Sequence, residues 1–157
     1  MTPHFENYFT ERASLLGEVL FYHLTLEALL TEIIKRDSNA PIESKLKKMM
    51  FSKKADECLK LGKLSPELHG AVLGLNKVRN QYAHELGYEI SFDAALALAK
   101  VCGEAGAEFT DGVDGCNVDQ AKALGYETLD LLNETFRNTF FEVAYRQGEE
   151  QWLEFTS

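Results

Sequence analysis

Proline and cysteine are scarce in this chain, and basic residues thin out almost completely in its second half. Three prolines among 157 residues leave long stretches free to be helical and weigh against a multi-strand fold. The three cysteines, Cys58, Cys102 and Cys116, are odd in number and nowhere spaced Cys-x-x-Cys. That pattern excludes a disulfide framework and a thiolate zinc site, and it suits free thiols in a reducing, cytoplasmic compartment. No long run is free of charge either. The most apolar stretch, Leu15 to Ile34, is interrupted by Glu18, His23, Glu27 and Glu32, so no membrane span is expected. The first residues mix polar, aromatic and acidic side chains, which is not the pattern of a signal peptide.

What remains is ordinary globular composition, 45% hydrophobic and 26% charged, in a chain the length of one domain. The net charge of −9 is unevenly placed. Residues 1–85 carry twelve Lys and Arg against eleven Asp and Glu; residues 86–157 carry four against fourteen. Such a field does not attract nucleic acid as a whole, so any RNA site must be local and must lie in the first half. Seven lysines between Lys45 and Lys63 are the obvious concentration of positive charge. On one continuous helix, turning ~100° per residue, they spread around the axis as a solvated surface instead of forming a stripe.

The periodicity predicts an all-α, single-domain antiparallel bundle of about five helices. The first runs from about Glu6 to Arg36 and ends at Asp37-Ser38-Asn39-Ala40-Pro41. The second spans Ile42 to Leu61 and stops at Gly62. Ser65-Pro66-Glu67 opens the third as N-cap, first-turn proline and dipole-favoured acid, carrying it to about Glu85 before Gly87. Ser91 caps a fourth through Ala107. After a loop over 110–116, Asn117-Val118-Asp119-Gln120 opens a fifth reaching Arg146.

The third helix holds the one site-like feature. With Arg79 at the origin of a helical wheel, Leu68, Val72, Leu75 and Ala83 all fall within about 40° of it. Val78, Ala71 and Tyr82 complete the apolar arc. Arg79 is therefore expected on the buried face, where a guanidinium must find a partner or open onto a cleft. Beside it runs a column of hydrogen-bonding side chains, His69, Asn76, Asn80 and His84. On the first helix, Glu27 lies within about 20° of Phe9, Leu16, Leu20 and Ile34, in the middle of that apolar stripe. A buried acid and a buried base suggest a Glu27–Arg79 ion pair, either purely architectural or turning Arg79 toward an anionic ligand.

Arg79-Asn80-Gln81-Tyr82-Ala83-His84 resembles the Arg-x4–6-His signature of the HEPN superfamily (higher eukaryotes and prokaryotes nucleotide-binding), in which asparagine commonly follows the arginine. Lys60-Leu61-Gly62-Lys63-Leu64-Ser65, leading into Leu75-Asn76-Lys77-Val78-Arg79-Asn80, is similar to a passage of mannitol-repressor-like members. Together these motifs cover about residues 6–90. The resemblance implies a helical bundle, often a homodimer with both motif copies facing one cleft, and in active members a metal-independent endoribonuclease. His84 would move a proton during attack of the ribose 2′-hydroxyl, Arg79 would stabilise phosphorane charge, and Asn80 would hold His84 or a phosphate oxygen. Glu27, Asn76 and Tyr82 would support them. No cofactor is implied, and no metal-ligand set is visible in the sequence. Leu86 stands where toxin members modified by a partner nucleotidyltransferase carry tyrosine, and Glu85 adds negative charge beside His84. Mannitol-repressor-like relatives are regulators without known chemistry, so a non-catalytic protein binding a protein or nucleotide partner is the alternative expectation. A bundle in which Arg79 and Glu27 only join helices is the third. His4 and His23 stand isolated, with no metal role expected. Phe136, Phe140, Phe141 and Tyr145 read as core or dimer seam, and Trp152 and Phe155 as a cover for the bundle or a docking tail.

Overall fold

A computed structural model describes residues 3–148, with side chains described from Thr10 onward. Phe5 and Phe9, like His4, Trp152 and Phe155, thus have side chains outside the described residues. Among the described residues there are seven α-helices, one 3-10 turn and no strand. The helices are α1 (Pro3–Lys35), α2 (Glu43–Lys48), α3 (Phe51–Lys60), α4 (Pro66–His84), α5 (Phe92–Glu104), α6 (Val118–Ala123) and α7 (Thr128–Arg146).

Caps set most of these boundaries. Ser65 Oγ accepts from the Leu68 N–H at the start of α4, and Ser91 Oγ accepts from the Ala94 N–H at the start of α5. Asn117 and Gln120 form the expected reciprocal capping box.

Two of the five expected helices are each divided. The second breaks at Met49 and Met50, both extended (ψ 131° and 155°), with neither Gly nor Pro to announce it. The break turns buried Leu46 and buried Phe51 into the same core from helices of different direction. The fifth breaks after Leu124, where Gly125 adopts a left-handed φ of 93° and Glu127 begins a new cap with Asp130.

This second break changes the topology. Asn133 of α7 meets Glu18 of α1, while Arg146 and Gln147 share a cleft with Ile33 and Arg36. Helices α1 and α7 therefore run parallel, contrary to the antiparallel bundle expected. α4 does oppose α1 and α5: Asn76 lies opposite His23 while Tyr82 lies nearer the start of α1, and Gly74 lies opposite Leu98. The segment between α5 and α7 accounts for the difference. It descends beside α5, with Asp114 against Gly103 and the Lys122 ammonium 5.2 Å from the Phe92 ring, and so returns the chain to its starting end before α7 rises. The core joins α1, α3, α4, α5 and α7 through Leu26, Cys58, Leu75, Leu96, Leu132 and Phe136. Tyr145 and Phe141 are exposed, Phe136 and Phe140 buried, so only part of that aromatic set is core.

Candidate functional site

The polar residues of α1, α3 and α4 meet near mid-height of the bundle. His23 is 1% exposed, and its Nε2 lies 3.0 Å from Asn76 Oδ1. Its ring stacks on Phe51 with centroids 4.5 Å apart. With the proton assigned to Nε2, the ring donates to Asn76 and leaves Nδ1 without a hydrogen-bond partner. Burial pushes the His23 imidazole below its usual pKa; the bond to Asn76 opposes this, the Arg79 charge adds to it, and the Glu27 charge opposes it. Both charges thus act on one buried ring.

The expected Glu27–Arg79 pair is not formed. Lys54 of α3, buried in the seam, donates to Glu27 Oε1 at 3.2 Å. The sequence wheel gave Glu27 a buried position but not the identity of the neighbouring helix. The break at Met49 and Met50 lays α3 along α1 and delivers Lys54 first. Arg79 is half-buried, not centred on the buried face, and donates from Nη1 to its neighbour Asn80 Oδ1 at 3.1 Å. Among the described residues no carboxylate pairs with it. A guanidinium whose partner is a neutral carboxamide keeps its charge and further N–H donors for an anion.

Ala83, expected on the buried arc, is exposed in the last turn of α4. Tyr82 accepts from the Ile90 N–H at 3.2 Å and meets Tyr88 edge-on, and Tyr88 donates to Gln81. Burial is the main cause raising the Tyr82 phenol pKa. Tyr82 thus anchors the α4–α5 connection and faces a cleft of about 240 Å³ bordered by Glu11, Glu89, Glu127 and Arg12, an acidic lining ill-suited to phosphate. His69 is held by Asp56 at 2.9 Å. His84, the last residue of α4, is exposed and has no hydrogen bond or ion pair among the described residues. Five positions separate it from Arg79, so within one protomer the two face directions about 140° apart.

The structure therefore brings Glu27, Asn76, Arg79 and Asn80 into one neighbourhood and sets His84 and Tyr82 apart from it. It adds His23 and Lys54, which sequence reasoning missed. Both left a signal: His23 precedes Glu27 by one helical turn, and Lys54 sits in the buried i, i+3, i+4, i+7 series Phe51, Lys54, Ala55, Cys58. Among the described residues, no three His, Cys, Asp or Glu side chains come together as a metal-ligand group. Set against known protein families, curated proteins and solved structures, the chain matches none.

Proposed function

We propose that the chain is an HEPN-type protein acting on RNA as a homodimeric, metal-independent endoribonuclease of the reducing cytoplasm. One observation carries this reading: Arg79 is half-buried without a carboxylate, and an unengaged His84 closes the same helix. The guanidinium supplies a fixed fork of donors for a phosphate gaining charge, and the imidazole a proton carrier near neutral pH. Because Arg79 and His84 diverge within one protomer, the reading requires a second copy, with His84 of one chain working beside Arg79 of the other. The outward face of α1 supports self-association. Ala13, Gly17, Phe21, Leu24 and Ala28 form an uncharged strip there, on which Phe21 is 62% and Leu24 59% exposed.

That same strip, with exposed Phe141 and Tyr145 on neighbouring α7, favours a second reading: a non-catalytic regulator whose apolar surface holds a protein partner. The two separate in one assay. A mixed pool of structured and single-stranded RNA is incubated with wild type, Arg79→Ala and His84→Ala in the presence of chelator. Cyclic-phosphate ends that either substitution reduces by roughly 100-fold or more, with the helical fold intact, support the ribonuclease. Intact RNA at high protein concentration rejects it in favour of the regulator. A monomer in solution also counts against it.

A further inference from the structure

The lysines of α2 and α3 do not form the evenly solvated surface that a continuous helix would give. The break at Met49 and Met50 reorients the second half of that stretch, and Lys45, Lys48 and Lys53 line one open cleft of about 660 Å³ floored by Pro41 and Met49. Each acid of these two helices has an ion-pair partner of its own. Glu43 pairs with Lys47, Asp56 with His69, and Glu57, which also lines the cleft, with Lys60. Lys45, Lys48 and Lys53 are left exposed, with no ion-pair partner among the described residues. In a chain of net charge −9, this is a local concentration of uncompensated positive charge in a concave setting.

We infer that this cleft is a docking groove for the phosphate backbone of single-stranded RNA, distinct from Arg79 and His84. The inference rests on the RNA reading of the protein and adds to it a place where the strand is held. Lysine ammonium groups meet phosphates as point charges, and the cleft offers no aromatic ring on which a base would stack. Binding there is electrostatic and indifferent to sequence. The groove and the buried cluster share helix α3. Lys53 faces the cleft, while Phe51 and Lys54 face His23 and Glu27, so a strand seated in the groove lies on the element that borders Arg79's neighbourhood. Exposed Ile42 and Met50 beside the lysines suggest an anionic membrane surface as the competing partner. The concavity favours a strand, since a cleft of about 660 Å³ admits a single strand along its length whereas a flat headgroup layer only spans its mouth.

The test is fluorescence anisotropy of a labelled single-stranded RNA, about one helical-turn length or more, across a salt series. Wild type is compared with the triple variant Lys45→Ala/Lys48→Ala/Lys53→Ala, with Lys122→Ala on α6, outside the cleft, as a lysine control and with Arg79→Ala. All three groove positions are exposed, so the triple variant is expected to keep its fold, which far-ultraviolet circular dichroism checks. The groove predicts binding weakened about tenfold or more at low salt in the triple variant, with the slope of log affinity against log salt shallower by about 2, near 0.7 per lost contact. Lys122→Ala stays near wild type, and Arg79→Ala loses cleavage while keeping most binding. Wild-type affinity and slope in the triple variant, with RNA still cut by the wild type, overturn the groove and leave the RNA reading standing. A wild type that neither binds nor cuts RNA overturns both. Capture by anionic phospholipid vesicles without RNA binding, lost in the triple variant, overturns the inference in favour of a membrane surface.

Discussion

The two sides of the bundle bury polar groups in opposite ways. In the α5–α7 seam, each buried hydroxyl donates to its own helix: Thr135 to the Leu131 carbonyl and Thr139 to the Thr135 carbonyl, both at 2.7 Å, with the weak Cys102 thiol contact of Thr139 the one that crosses to α5. In the α1–α3–α4 seam, satisfaction crosses helices. Lys54 depends on Glu27, His23 and Asn76 depend on one another, and one imidazole nitrogen has no partner. A self-bonded hydroxyl costs little and asks nothing of its neighbours. A cross-helix network holds only while all three helices keep their positions, and it places charge where a ligand's charge acts on it. The α1–α3–α4 side is thus where sequence changes cost most and where binding energy can be felt.

The sharpest way to break this contrast is Lys54→Ala. It strands the Glu27 carboxylate in the seam, and a buried pair cut on one side costs several kcal/mol. Glu27 keeps about a third of its side-chain exposure, which lowers the expected loss to about 2 kcal/mol by urea denaturation. The double variant Lys54→Met/Glu27→Gln recovers most of that loss. The cysteines report each seam separately. Burial pushes Cys58, in the α1–α3 seam, up to about 12, and Cys102, in the α5–α7 seam, up to about 11, so neither labels without opening. Lys54→Ala accelerates labelling of Cys58 well beyond that of Cys102. Equal acceleration would mean that the molecule opens as one unit and that the contrast between seams is not energetic.

A smaller effect follows from His23. Its pKa is lowered in the folded protein, so the unfolded chain binds more protons in the window below the ordinary histidine value. The stabilisation this represents is present above about pH 6.5 and declines as pH falls toward the depressed folded value. Thermal melts from pH 7.5 down to 5.5 show the decline, and His23→Phe flattens that part of it. A variant as pH-sensitive as wild type would place the titration on other groups.

These effects also mark what was readable in advance. Apolar periodicity located α1, and capping motifs located α4, α5 and the start of α6, to within a few residues, because Ser65, Ser91 and Asn117 act locally. The Met49–Met50 break was hidden, since two methionines carry no turn chemistry and only the demand that Leu46 and Phe51 both be buried imposes it. The reversal at Gly125 left a glycine as its sign, but the helical pattern on either side of it masked the change of direction. At the site, the wheel put Glu27 on the inward stripe of its helix and Asn76 in the polar column beside the buried arc. Pairing is set by which helix lies alongside, and a wheel of one helix carries nothing about its neighbour. Lys54 therefore took the partner expected for Arg79.

The smallest expected effect tests the quiet side. Thr139→Val keeps the side-chain shape and removes a hydroxyl that donates to the Thr135 carbonyl of its own helix and also meets the Cys102 thiol of α5. The Thr135 carbonyl keeps its regular helical partner, and the Cys102 thiol, a weak hydrogen-bonding group, loses little by the change. The cost by urea denaturation is under about 1 kcal/mol, with either sign admissible, because the lost weak bond is offset by removing a hydroxyl from an apolar seam. A loss as large as that of Lys54→Ala would show that Thr139 holds α5 to α7 through Cys102. Buried polarity on the acidic half would then be cross-helix as well, and the division between a self-contained seam and an interdependent one would fall.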